Sequence, residues 1–137
     1  MGKRQPFEFL DHTADIKVRV HGKTLPEIFE NVALAVSYYL AGEKKSRPRL
    51  MTQISVSAND NEALLYAFVD ELLYLVDAEH FLVAKAEVTL VNGGLRARVY
   101  GDSTARYDVK QIKAATYAEM AIEQDLRGWT ATLVLDV

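Results

Sequence analysis

From Asp15 to Gly22 the chain alternates with period two: Ile16, Val18 and Val20 fall between Lys17, Arg19 and His21. Such alternation predicts a strand with one buried and one wet face, ended by Gly22. The period then changes. Leu25, Phe29, Val32, Val36 and Leu40 form an apolar stripe at helical spacing, widened by Ile28, Ala33 and Ala35. Thr24 with Glu27 matches a capping box, Pro26 suits a first turn, and Gly42 is placed to stop the helix. A charged loop, Glu43 to Arg49, leads to a short strand, Gln53 to Ala58, with Ile54 and Val56 inward. Asn59 with Glu62 offers a second cap, and Asp60 adds negative charge where the helix dipole favours it. Leu64, Leu65, Phe68, Leu72, Leu75 and Val76 make the buried face of that helix, which fades between Asp77 and His80.

Period two returns after Phe81. Ala86, Val88 and Leu90 alternate with charged and polar residues, Asn92-Gly93-Gly94 supplies the positive-φ residues of a tight turn, and Leu95, Ala97 and Val99 run back. Gly101 to Asp108 reads as a polar loop. Val109 to Glu123 is ambiguous. Its alanines permit a helix, but Ile112, Ala114, Thr116, Ala118 and Met120 alternate, and the turn at Asp125–Gly128 and the strand after it favour a hairpin, so a strand is expected. The last strand has Trp129, Ala131, Leu133, Leu135 and Val137 on one face. The expectation is a single two-layer α+β domain over residues 1–137, with two helices packed on a mainly antiparallel (mixed) sheet.

Composition narrows the chemistry. The absence of cysteine removes disulfides, thiolate nucleophiles and thiolate metal sites. A net charge of -3 argues against a dedicated nucleic-acid binder. No secretory signal or membrane-spanning run is visible, so a soluble, cytoplasmic chain is expected.

Asp15 and Asp136 are each out of phase with the buried residues of their strands, so both should leave the core. If the chain ends at Val137, a terminal carboxylate stands beside Asp136. Carboxylate oxygens of this kind, if they met, would suit calcium or magnesium rather than zinc. On spacing alone the plainer reading is a pair of solvated strand ends. His12 is a possible ligand or proton carrier, though a lone loop histidine is more often structural. With His21 and His80 as the other histidines, no three-histidine zinc site can be built. Lys113, flanked by Ile112 and Ala114, is a conceivable nucleophile but more simply a surface lysine. Arg96, Arg98 and Arg106 with Tyr100 and Tyr107 could form a strip for single-stranded RNA, yet an ordinary solvent face is the simpler account. Tyr38 and Tyr39 read as packing residues. No phosphate-binding glycine loop or Ser-His-Asp arrangement is present.

Five strings in order carry a resemblance. They are Leu10-Asp11-His12-Thr13-Ala14-Asp15-Ile16; Gly22 with Phe29-Glu30-Asn31-Val32-Ala33; Glu62-Ala63-Leu64-Leu65-Tyr66 leading to Asp70-Glu71-Leu72-Leu73; Ile112-Lys113-Ala114-Ala115-Thr116-Tyr117; and Leu135-Asp136-Val137. The chain resembles the archeases along nearly its whole length. That resemblance implies a non-catalytic partner of an RtcB-type RNA ligase in tRNA splicing and RNA repair, promoting guanylylation and multiple turnover. It implies a divalent cation, calcium, held by Asp15, Asp136 and Val137, with His12 and Lys113 as functional neighbours, and contact with tRNA only through the ligase. Ala118, and the run Arg106-Tyr107-Asp108, stand where relatives often carry histidine. The alternatives are a metal-dependent hydrolase and a chaperone-like or RNA-binding adaptor.

Overall fold

The computed structural model describes residues 5–10 and 15–137. Helix α1 (Leu25–Leu40) starts where the capping pattern places it. Thr24 Oγ1 accepts the Glu27 amide at 3.3 Å, while Glu27 Oε1 accepts the amide of Lys23, one residue before the cap. The apolar stripe is buried from Ile28 to Leu40. Helix α2 (Asn61–Glu79) is capped by Asp60, not by Asn59: Asp60 Oδ1 accepts the Ala63 amide at 2.7 Å. Both residue types cap well, and the charged one also complements the helix dipole. His80 ends α2 in the left-handed region, with φ 52°.

The α+β class is as expected, but the strands divide into two sheets. Strands β1 (Phe7–Leu10), β2 (Ile16–Gly22), β7 (Gly128–Asp136) and β6 (Ala114–Asp125) form one sheet in that order. Strands β3 (Leu50–Ser57), β5 (Gly94–Ser103) and β4 (Phe81–Val91) form the other. Neighbouring strands are antiparallel throughout both sheets among the described residues. Strand β1 was not anticipated. Its Phe7 and Phe9 meet edge-to-face at 5.6 Å and pack on Tyr38, and Phe9 also meets Tyr39, as the packing role expected of those tyrosines requires.

Both helices contact both sheets, so one core joins the two layers. Phe29 of α1 and Phe68 of α2 meet at 5.6 Å with perpendicular rings at its centre, both fully buried. Helix α1 also covers the outer edge of β4. The Val88 amide donates to Glu30 Oε2 at 2.8 Å, and Ser46, after the helix, donates to the Val83 carbonyl at 3.1 Å. Backbone groups that would otherwise be an open edge are thereby satisfied.

Gly101 to Ser103 extends β5 rather than opening a polar loop, and only Thr104–Arg106 forms a short 3-10 turn. A Cβ on Gly101 would run into the Leu82 carbonyl, so this position needs glycine for close strand approach. In the β4–β5 turn, Gly93 alone takes a positive φ; Asn92 and Gly94 do not. The ambiguous segment is strand, beginning at Ala114 rather than Val109. It is interrupted: Thr116 pairs with Val134 and Ala121 with Thr132, so the four residues Tyr117 through Met120 bulge opposite the single residue Leu133 of β7. Among the described residues no helix is long and apolar enough to cross a membrane.

Candidate cation site at the converging strand ends

The β2–β7 register begins with Ile16 opposite Leu135. Asp15 immediately precedes this pair and Asp136 immediately follows it. In an antiparallel ladder, one further step sets the two aspartates opposite each other, on the face that Ile16 and Leu135 do not use. Strand β6 completes the arrangement: Ala114 pairs with Asp136, and the Lys113 amide donates to the Asp136 carbonyl at 2.7 Å. The start of β2, the end of β7 and the start of β6 therefore meet at one end of the four-stranded sheet. Asp15, Asp136 and Val137 are half-buried there.

Lys113 is brought to the same place by its backbone, while its side chain is exposed. That is the environment of a surface lysine rather than of a desolvated nucleophile. His12 lies outside the described residues. Among the described residues, no group of three or more histidine, aspartate or glutamate side chains converges on a point. What the register brings to this corner is the backbone of Asp15, Asp136 and Val137.

The segment entering the site is tethered. Ile112 is buried. The Lys110 amide donates to the Leu40 carbonyl at 2.8 Å, and the Lys110 ammonium lies 5.3 Å from the centre of the Tyr39 ring. Further back, the Tyr107 hydroxyl donates to Asp102 Oδ2 at 2.9 Å. Asp102 is 2% exposed and also receives the Ser103 amide at 2.8 Å, Arg49 Nε at 3.3 Å and Arg106 Nε at 3.3 Å. Burial pushes its carboxyl up, but the Tyr107 and Ser103 hydrogen bonds and the Arg106 and Arg49 charges prevail and hold it below its ordinary value. Sequence reading placed this aspartate in a loop; its four-residue spacing from Arg106 was the available signal.

On the exit side, the bulge is pinned at two points. Tyr117 stacks on Tyr66 of α2 at 4.4 Å with nearly parallel rings, and Glu119 pairs with Lys17 of β2 at 2.8 Å. Glu119 sits at φ 56°. Val134, expected on the wet face, is buried beside this bulge, between Lys17 on β2 and Thr116 on β6 in the register.

The model of the archease protein family (MTH1598/TM1083) matches residues 7–137. The chain is 35% identical to a protein named archease from Methanosarcina barkeri, covering 96% of this chain and 95% of that protein. It is 38% identical to a protein of the same name from Pyrococcus furiosus, covering 96% and 98%. The solution structure of Methanobacterium thermoautotrophicum protein 1598 superposes with a TM-score of 0.75 at 26% identity, covering 96% of this chain and 99% of that one.

Proposed function

This chain belongs to the archease family, and we propose that it is a non-catalytic activator of an RtcB-type RNA ligase, acting in the cytoplasm in tRNA splicing and RNA repair. In this reading it promotes guanylylation of the ligase and lets it turn over repeatedly. Asp15, Asp136 and Val137, through its carbonyl oxygen, would hold a divalent cation, calcium by preference. Membership of the archease family over residues 7–137 is what supports the ligase reading; the β2–β7 register, which brings residues separated by most of the chain to adjacent positions, supports the cation site. Like charges so placed repel unless something positive joins them. An all-oxygen set fits a hard cation. When bound, the cation would supply the neutralising charge and a fixed point for carboxylate oxygens.

This chain's own residues do the rest. The Lys113 amide holds the Asp136 backbone, and the exposed Lys113 side chain stands ready at the rim for an anionic group of the partner. The test is multiple-turnover ligation by the cognate ligase, with wild-type protein, Asp15→Ala and Asp136→Ala. Wild type should raise turnover, and each variant should lose most of that stimulation. Equal stimulation by all three would remove the carboxylates from the mechanism, and no stimulation by any would remove the ligase.

A further inference from the structure

The outward face of the β3–β5–β4 sheet carries a positive charge that the chain as a whole does not. Along β5, alternate residues Arg96, Arg98 and Tyr100 point away from the core, since Leu95, Ala97 and Val99 are buried. The register fills in the rows. Ser55, Arg96 and Thr89 lie side by side, then Gln53, Arg98 and Glu87, then Met51, Tyr100 and Lys85. At the far end Arg49 and Arg106 flank Asp102. Five cations thus meet two carboxylates, on a chain whose net charge is -3. Both carboxylates are already engaged: Asp102 as described, and Glu87 by the Tyr100 hydroxyl at 2.8 Å. That bond keeps the phenol protonated by raising its pKa. The Lys85 ammonium lies 5.1 Å from the centre of the same ring.

Gln53, Ser55, Glu87, Thr89, Arg96 and Arg98 are exposed and border a shallow concavity of about 560 Å³. No helix covers this side among the described residues. We propose that this face binds the sugar-phosphate backbone of single-stranded RNA directly, with Arg96 and Arg98 as its central phosphate contacts. Two arginines on alternate residues of one strand leave the backbone about 6.5 Å apart on the same face. Amide and hydroxyl groups from Gln53, Ser55 and Thr89 flank them, the mix that sugar-phosphate recognition uses.

An acidic protein segment would satisfy the charges equally well, but a stable protein interface also wants an apolar or aromatic centre. Here the exposed apolar side chains, Met51 and Val91, sit toward opposite ends of the face, Val91 at the rim of the concavity, and its centre is arginine, glutamine, serine and threonine with one carboxylate, Glu87, opposite Arg98. The site lies on the sheet that does not carry Asp15 and Asp136. It therefore stands whether or not the ligase reading does.

The experiment is fluorescence anisotropy of a labelled 12-nucleotide single-stranded RNA with the isolated chain, across a sodium chloride series. Wild type should bind at low salt and weaken steadily as salt rises. The double variant Arg96→Ala/Arg98→Ala should bind roughly tenfold more weakly, with a log–log salt slope shallower by about 1.4, two phosphate contacts at ~0.7 each. Glu87→Gln should bind more tightly than wild type, a gain that no loss of folding imitates. Absence of binding at low salt, an unchanged slope in the double variant, or equal binding of a 12-residue polyglutamate peptide with the same arginine dependence would each overturn the proposal.

Discussion

At the residue scale, Asp102 is the clearest case of a polar group that the fold must keep charged. Its carboxyl is held below the ordinary aspartate value of about 3.9, although burial opposes this, because one phenol, one amide and two guanidinium groups converge on it. A group whose pKa is depressed on folding adds stability above its unfolded value and loses it as pH falls through the folded one. Asp102→Asn should therefore lower the urea midpoint at pH 7, and its gap from wild type should narrow as pH drops below about 4. A gap that stays constant between pH 7 and pH 3 would show that charge is not what the pocket holds. His80 offers a simpler test, since a non-glycine residue there carries the cost of a left-handed backbone. His80→Gly should raise stability by roughly 0.5–1 kcal/mol, read from chemical denaturation. A loss would mean that the side chain contributes more than the strain costs.

At the element scale, the two helices act as one unit through Phe29 and Phe68. Truncating Phe68 to alanine empties a fully buried position at their contact and should cost about 3–5 kcal/mol, measured by urea denaturation. A cost below about 1 kcal/mol would place the centre of the core elsewhere. These helices were legible because a 3.6-residue stripe and a capping side chain are local signals. Strands β2, β4, β5 and β7 were legible for the same reason. The edge strand β1 was missed because four residues are too few to establish a period. The bulge in β6 was missed because Ala118 and Met120 keep the apparent alternation while the backbone departs from it: Ala115 is buried, and Tyr117, Ala118 and Glu119 are exposed. That departure is decided by partners distant in sequence, Tyr66 and Lys17, which no window along the chain contains.

At the scale of the whole molecule, the fold does two things that composition conceals. It collects cations on the outer face of one sheet while the net charge stays negative. It also lays β7 between β2 and β6 in the other sheet, so that Asp15, Lys113 and Asp136 share one corner. Each of these residues was legible as a candidate from its phase or its surrounding string. Their adjacency was not, since pairing across more than one hundred residues is fixed by global packing rather than by local pattern. The family resemblance supplied the expectation that they work together, and the register explains how they can. The most direct measurement is isothermal titration calorimetry of calcium, then magnesium, into wild-type protein, Asp15→Asn and Asp136→Asn. One saturable binding event in wild type, lost or weakened at least tenfold in each variant with unchanged circular dichroism, is the predicted result. Equal binding by all three proteins, or none by wild type, would contradict a cation site at the joined ends of β2 and β7.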